Sequence, residues 1–105
     1  MKAEYEALAK ANENSWRILF SIANVFSYNE YFKEAIQMWQ KTFDCMPKPR
    51  YTDSFEAMAQ CCVRMGDHES AVEYYKKELE LLREDWGLKY GAEVEALEEK
   101  IRALQ

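Results

Sequence analysis

FKEAIQMWQK at residues 32–41 and HESAVEYYKK at residues 68–77 are two versions of one ten-residue pattern. In each, an alanine precedes a β-branched residue, and two bulky side chains follow at the third and fourth places after the alanine. The alanines, Ala35 and Ala71, lie 36 residues apart. Upstream, the same offset pairs Ile22, Ala23 and Phe26 with Met58, Ala59 and Cys62. An internal repeat of this length predicts stacked supersecondary units rather than one closed globule.

The composition favours a helical chain that is soluble and cytoplasmic. The 105 residues are 49% hydrophobic and 14% aromatic, which is enough for the core of one domain. Three glycines and two prolines are too few for a sheet with many tight turns, so the predicted fold class is all-α. Apolar runs are short and the start MKAEYEAL is charged, so neither a membrane span nor a secretory signal is expected.

Charge and motifs argue against several functional classes. The net charge of −5 disfavours a phosphate-binding surface, so no nucleic-acid partner is expected. No phosphate loop, dinucleotide fingerprint or nucleophile motif occurs, which predicts a protein that is not an enzyme and needs no cofactor.

The cysteines do not form a recognisable metal-binding pattern. Cys45, Cys61 and Cys62 are an odd number, as expected for reduced thiols in a cytosol-like compartment. Neighbouring residues on a helix point about 100° apart, and there is no C-x-x-C pair. Neither these thiols nor His68, the only histidine, is therefore predicted to bind metal or to catalyse a reaction.

Helix punctuation divides the chain into about six helices. The predicted parts of one helical-repeat domain, 1–105, are a half-repeat helix at 2–12, a first repeat at 16–49, a second repeat at 52–85 and a capping helix at 90–104.

Several joints carry specific predictions. The capping residues at 12–15 predict a helix start near Ser15 or Trp16, and the prolines Pro47 and Pro49 predict that the second helix of the first repeat stops before them. Asn29 is the expected left-handed residue of the first turn. Thr52 or Asp53 is the expected cap of the next helix, with Asp53 and Glu56 at capping-box spacing. In the second turn, at Met65-Gly66-Asp67, Gly66 suits the left-handed position. Asp67 is expected to cap the helix that follows.

The two units resemble the tetratricopeptide repeat, whose period is about 34 residues. The first-helix pattern of that family is matched by Leu19, Ile22, Ala23 and Phe26, and again by Phe55, Met58, Ala59 and Cys62. Its second-helix pattern is matched by Ala35 with Trp39 and by Ala71 with Tyr75. The resemblance implies an α-α superhelix of antiparallel hairpins. The chain departs from the family at Glu30, Thr42 and Glu78, where small residues are usual, and these departures are expected to leave the buried faces intact.

The resemblance also implies a site for a protein or peptide partner on the inner wall of first helices. The implied peptide-binding residues are Arg17, Phe20, Asn24, Tyr28, Glu56, Gln60 and Arg64, with Ser27, Asp53 and Val63 beside them. Asn24 and Gln60 would bond a peptide backbone, and Phe20 and Tyr28 would anchor apolar groups. Family members that bind a terminal carboxylate carry basic residues where this chain has Phe20 and Glu56, so that activity is not expected.

Alternatives remain open at the sequence level. One alternative is that these helix faces are ordinary exposed surfaces of a short helical array. A short helical array can self-associate into a homo-oligomer through an incompletely capped end. The regular terminal helices would also suit an engineered or excised scaffold without its own ligand. Trp86 is expected to be tucked beneath the last helix, and the alternative is a ring that is available to a partner.

Overall fold

The computed structural model describes all 105 residues and contains six α-helices and no β-strand, which confirms the all-α fold class. The helices are α1 (Lys2–Ala11), α2 (Trp16–Tyr28), α3 (Phe32–Cys45), α4 (Asp53–Arg64), α5 (His68–Trp86) and α6 (Ala92–Leu104). None of them combines the length and apolarity needed to cross a membrane.

The helices group into two compact units, Met1–Pro47 and Lys48–Gln105. In the first unit α2 packs against α1 and α3, and in the second α5 packs against α4 and α6. Three-residue joints connect α2 to α3 and α4 to α5, so each pair forms an antiparallel hairpin. The boundary falls at the two prolines that were predicted to end the first repeat, because proline cannot continue a helix. The single repeat domain stays a prediction.

The two hairpin turns have the same hydrogen-bond geometry at an offset of 36 residues. The N–H of Tyr31 donates to the carbonyl of Phe26 at 2.8 Å, and the N–H of Asp67 donates to the carbonyl of Cys62 at 2.8 Å. This six-to-one bond is the mark of a Schellman helix ending. The sequence repeat is therefore also a repeat of backbone structure, including the turns where the sequences differ.

The prediction for the first turn is wrong by one residue. Glu30 has the left-handed conformation, with φ 65°, as Gly66 does in the second turn with φ 79°. Asn29 has φ −92°, and its side-chain Nδ2 donates to the carbonyl of Val25 at 2.8 Å. The Schellman bond places the positive φ on the residue just before its donor, which overrides the local preference of asparagine.

Two predicted helix starts are confirmed and one is wrong in detail. Ser15 Oγ accepts a hydrogen bond from the N–H of Ile18 at 3.4 Å, and Asp67 Oδ1 accepts one from the N–H of Ser70 at 3.1 Å. At α4 the N-cap position is Thr52, which makes no side-chain cap bond. The predicted Asp53 capping box is absent because Asp53 is already the first residue of the helix.

The repeat residues form the buried faces of the hairpins. The residues at the crossings, Ala35 and Ala71, are fully buried, and the aromatic side chains Trp39 and Tyr75 beside them are only 2% and 5% exposed. Small residues at a crossing let two helix backbones approach closely, which leaves room for large side chains next to them. Glu78 lies within the buried face, as expected, because the residue is only 5% exposed, but it places a carboxyl there whose Oε1 has no hydrogen-bond partner.

Candidate functional site

The exposed face of α2 carries three of the predicted binding residues as one stripe. Arg17, Asn24 and Tyr28 are all exposed and lie opposite the side of α2 that is buried in the first unit. Tyr28 is 87% exposed. A helix rises 1.5 Å per residue, so these three side chains, which we call the α2 stripe, span about 16 Å.

Phe20, beside the α2 stripe, and Arg17, within it, each contact an aromatic ring of the first unit. Phe20 is half-buried, and its ring meets that of Trp39 edge-on with centroids 6.2 Å apart. Phe20 therefore contributes to the α2–α3 packing as well as to the surface. The guanidinium of Arg17 lies 5.0 Å from the ring centroid of Trp16, a cation–π distance that holds this side chain along the helix.

On α4, one predicted binding residue is used inside the second unit. Glu56 Oε1 accepts hydrogen bonds from Lys100 Nζ at 2.5 Å and from Gln60 Nε2 at 3.3 Å. Lys100 belongs to α6, so Glu56 ties the last helix to α4, and its hydrogen bond raises the pKa of Lys100. Gln60 and Arg64 are exposed.

Behind Glu56 lies a buried carboxyl group that sequence reasoning treated only as a departure from the repeat. Burial, together with the charge of Glu56, raises the pKa of Glu78 to about 8, while Lys100 opposes the shift. Asp53 adds a smaller effect in the same direction as Glu56. Glu78 is therefore mostly neutral at pH 7, which avoids burying an unpaired charge.

A concave site in the second unit was largely missed at the sequence level. It has a volume of about 320 Å³ and is lined by Tyr51, Thr52, Asp53, Leu82, Trp86, Leu88 and Glu93, and we call it the Tyr51–Trp86 pocket. Sequence reasoning singled out Trp86 but favoured a ring tucked beneath the last helix over one available to a partner. The ring is 47% exposed, so it remains available to a partner.

A hydrogen-bonded clamp holds the Trp86 ring in place. The indole N–H donates to the carbonyl of Arg50 at 2.6 Å. The guanidinium of Arg50 donates two hydrogen bonds to Asp85, at 2.7 and 3.0 Å, and its backbone N–H donates a third at 2.9 Å. The Arg50 guanidinium, helped by the backbone N–H, lowers the pKa of Asp85 to about 2. The aromatic wall of the pocket is therefore preorganised.

The thiols show no feature of a reactive site. Cys61 and Cys62 are each 2% exposed. Cys61, which the sequence did not assign to a packing face, is therefore a core residue. Burial raises the pKa of Cys62 to about 11 and also raises the pKa of the half-buried Cys45. No group of three or more His, Cys, Asp or Glu residues is arranged to hold a metal ion.

The chain matches no known protein-family model and no curated protein sequence. The resemblance to the tetratricopeptide repeat thus rests on the residue pattern of the two units.

Proposed function

We propose that the chain is a non-catalytic, protein-binding module of tetratricopeptide type, and that an extended segment of its partner lies along the α2 stripe. The supporting observation is the stripe itself, which the packing of the first unit leaves exposed along most of α2. An exposed tyrosine at one end is typical of interfaces, since tyrosine offers a large apolar area and a polar tip.

The chemistry of the stripe suits an extended peptide. The amide of Asn24 has both donors and an acceptor, which match the alternating groups of a peptide backbone. Arg17 supplies a positive charge for an acidic partner residue, and Tyr28 supplies an anchor. Because a helix presents these groups without prior rearrangement, binding costs little conformational entropy. On α4 we propose a smaller role for Gln60 and Arg64.

A peptide library selected on the whole chain tests this proposal. For the best peptide, Tyr28→Ala should weaken binding by about 10- to 30-fold, the loss typical of an aromatic hot spot. Asn24→Ala should weaken it less, and Gln37→Ala, an exposed amide on α3, is the matched control. Binding that survives both α2 changes would place the peptide elsewhere.

A second copy of the chain is the alternative occupant of the same face. Size exclusion with light scattering at two concentrations distinguishes a second copy of the chain from a different protein partner. A mass that rises with concentration in wild type but not in Tyr28→Ala would identify the partner as a second copy, whereas a constant monomer mass would exclude it. Cys45, Cys61 and Cys62 form no disulfide, and this supports a reducing compartment such as the cytoplasm.

A further inference from the structure

The Tyr51–Trp86 pocket offers aromatic and aliphatic walls to one side chain. Tyr51 and Trp86 are 48% and 47% exposed, and their ring centroids lie 6.3 Å apart at an interplanar angle of 37°. Leu82 and Leu88 complete the apolar lining. A pocket of this kind suits an alkyl stem, because methylene groups gain by leaving water.

The charge of the same pocket is negative. Asp53 in the first turn of α4 and Glu93 in the first turn of α6 line it, and none of its seven lining residues is basic. Arg50, the residue before Tyr51, is committed to Asp85 through two side-chain hydrogen bonds. The pocket therefore combines carboxylates with exposed aromatic rings, the groups that attract an organic cation.

We propose that the Tyr51–Trp86 pocket binds the side chain of a lysine supplied by a protein partner. The aliphatic stem lies against the leucines, and the ammonium group lies between the ring faces and the two carboxylates. Lysine fits better than arginine because its compact ammonium contacts both kinds of group from one atom. The clamp on Trp86 keeps the wall formed before binding. This surface is distinct from the α2 stripe, and neither proposal depends on the other.

The test is an NMR titration of the whole chain that follows the indole N–H of Trp86, assigned from its loss in Trp86→Phe. The probes are N-acetyl-lysine methylamide, its norleucine counterpart, which keeps the stem but lacks the ammonium, and the arginine counterpart. The lysine probe should shift the Trp86 signal and bind about 2- to 30-fold more tightly than the norleucine probe, the range expected from cation–π attraction.

Variants of the two carboxylates test whether Asp53 and Glu93 cause the preference for lysine over norleucine. In an Asp53→Asn, Glu93→Gln double variant, the affinity for the lysine probe should fall toward that for norleucine and keep only the preference that the aromatic rings supply, while norleucine binding stays unchanged. Glu95→Gln, an exposed carboxylate of α6 outside the pocket, is the control for net charge and should keep the preference for lysine. Thermal unfolding of each variant confirms that the fold is kept.

Four outcomes would overturn the proposal. Equal affinity for the lysine and norleucine probes would reduce the site to an apolar pocket. Tighter binding of arginine would exclude lysine as its ligand. An equal loss of preference in Glu95→Gln would indicate nonspecific attraction by the net charge. An unshifted Trp86 signal would show that none of the probes occupies the pocket.

Discussion

At the residue scale, the main conflict between sequence and fold is at Glu78. The equivalent position in the first repeat is Thr42, whose hydroxyl donates to the carbonyl of Trp39 at 2.5 Å, so that polar group is satisfied locally. The longer side chain of Glu78 brings its carboxyl near Glu56 and Asp53 on α4 and Lys100 on α6. Tyr75, on the same helix as Glu78, is also close. Its neutral form is therefore the one that the fold accommodates.

This gives stability a defined pH dependence. The pKa of Glu78 rises from 4.5 to about 8 on folding, so the folded state holds a proton that the unfolded chain releases. Its contribution to the free energy of unfolding is complete below pH 4.5 and is lost as pH rises toward 8, by up to about 1.4 kcal/mol per pH unit. Glu78→Gln should flatten this decline, as measured by urea denaturation between pH 5 and 8.5.

The matched control is Glu80→Gln, an exposed carboxylate on the same helix. It should keep the wild-type decrease of stability with pH, since its carboxyl is not buried. If Glu78→Gln and wild type instead showed parallel curves, Glu78 would have to be charged in the folded protein.

At the element scale, the two turns show how a shared backbone geometry tolerates different sequences. Both turns close with the same hydrogen bonds, yet one has glycine and the other glutamate at the residue with positive φ. A left-handed conformation costs a residue with a side chain about 1–2 kcal/mol, whereas glycine adopts it freely. The first turn is therefore strained and the second is not.

Reciprocal substitutions measure that strain. Glu30→Gly should raise the free energy of unfolding by about 0.5–1 kcal/mol, since relief of strain exceeds the added entropy of the unfolded chain. Gly66→Ala should lower it by about 1 kcal/mol through conformation alone, because no atom lies within 4 Å of the added Cβ. Denaturant titration measures the free energy of unfolding of both variants. A stabilising Gly66→Ala would show that the left-handed turn is not kept in solution.

At the scale of the whole molecule, the helices differ in how firmly packing holds them. Ala9 is the only buried residue of α1, whereas α6 buries Val94, Leu97 and Ile101. The other contacts of α1 include a half-exposed ion pair between Lys2 and Glu34 at 2.6 Å, and ion pairs at the surface contribute little. Propensity alone rarely holds so short a helix in water.

Amide hydrogen exchange should reflect this order. We expect the amides of α1 to exchange first among the six helices, because local opening there exposes the least apolar surface. Mass spectrometry of peptic fragments, or NMR, would resolve it, with α6 as the comparison because it is also terminal. Equal protection of α1 and α6 would mean that α1 is held by more than the contacts described.

Much of the fold was predictable because local chemistry and the repeat agree. Ser15, Asp67 and the two prolines act on their own neighbours, so their roles as caps and stops follow from the sequence. Glu30 escaped prediction because the turn geometry, rather than residue preference, decides which position takes a positive φ. At the candidate site, the resemblance to the tetratricopeptide repeat implied that Asn24 and Tyr28 are exposed, but it did not imply the use of Glu56 by α6.

By itself, the sequence determined the all-α class, the 36-residue repeat and the helix faces that are buried, since these depend on periodicity and on neighbours along the chain. The tertiary structure alone decided the Tyr51–Trp86 pocket, the Arg50–Asp85 clamp and the neutral state of Glu78. Each of these brings together residues from different helices or joints. Their proximity, and the loss of water that sets their electrostatics, exist only after the helices have packed.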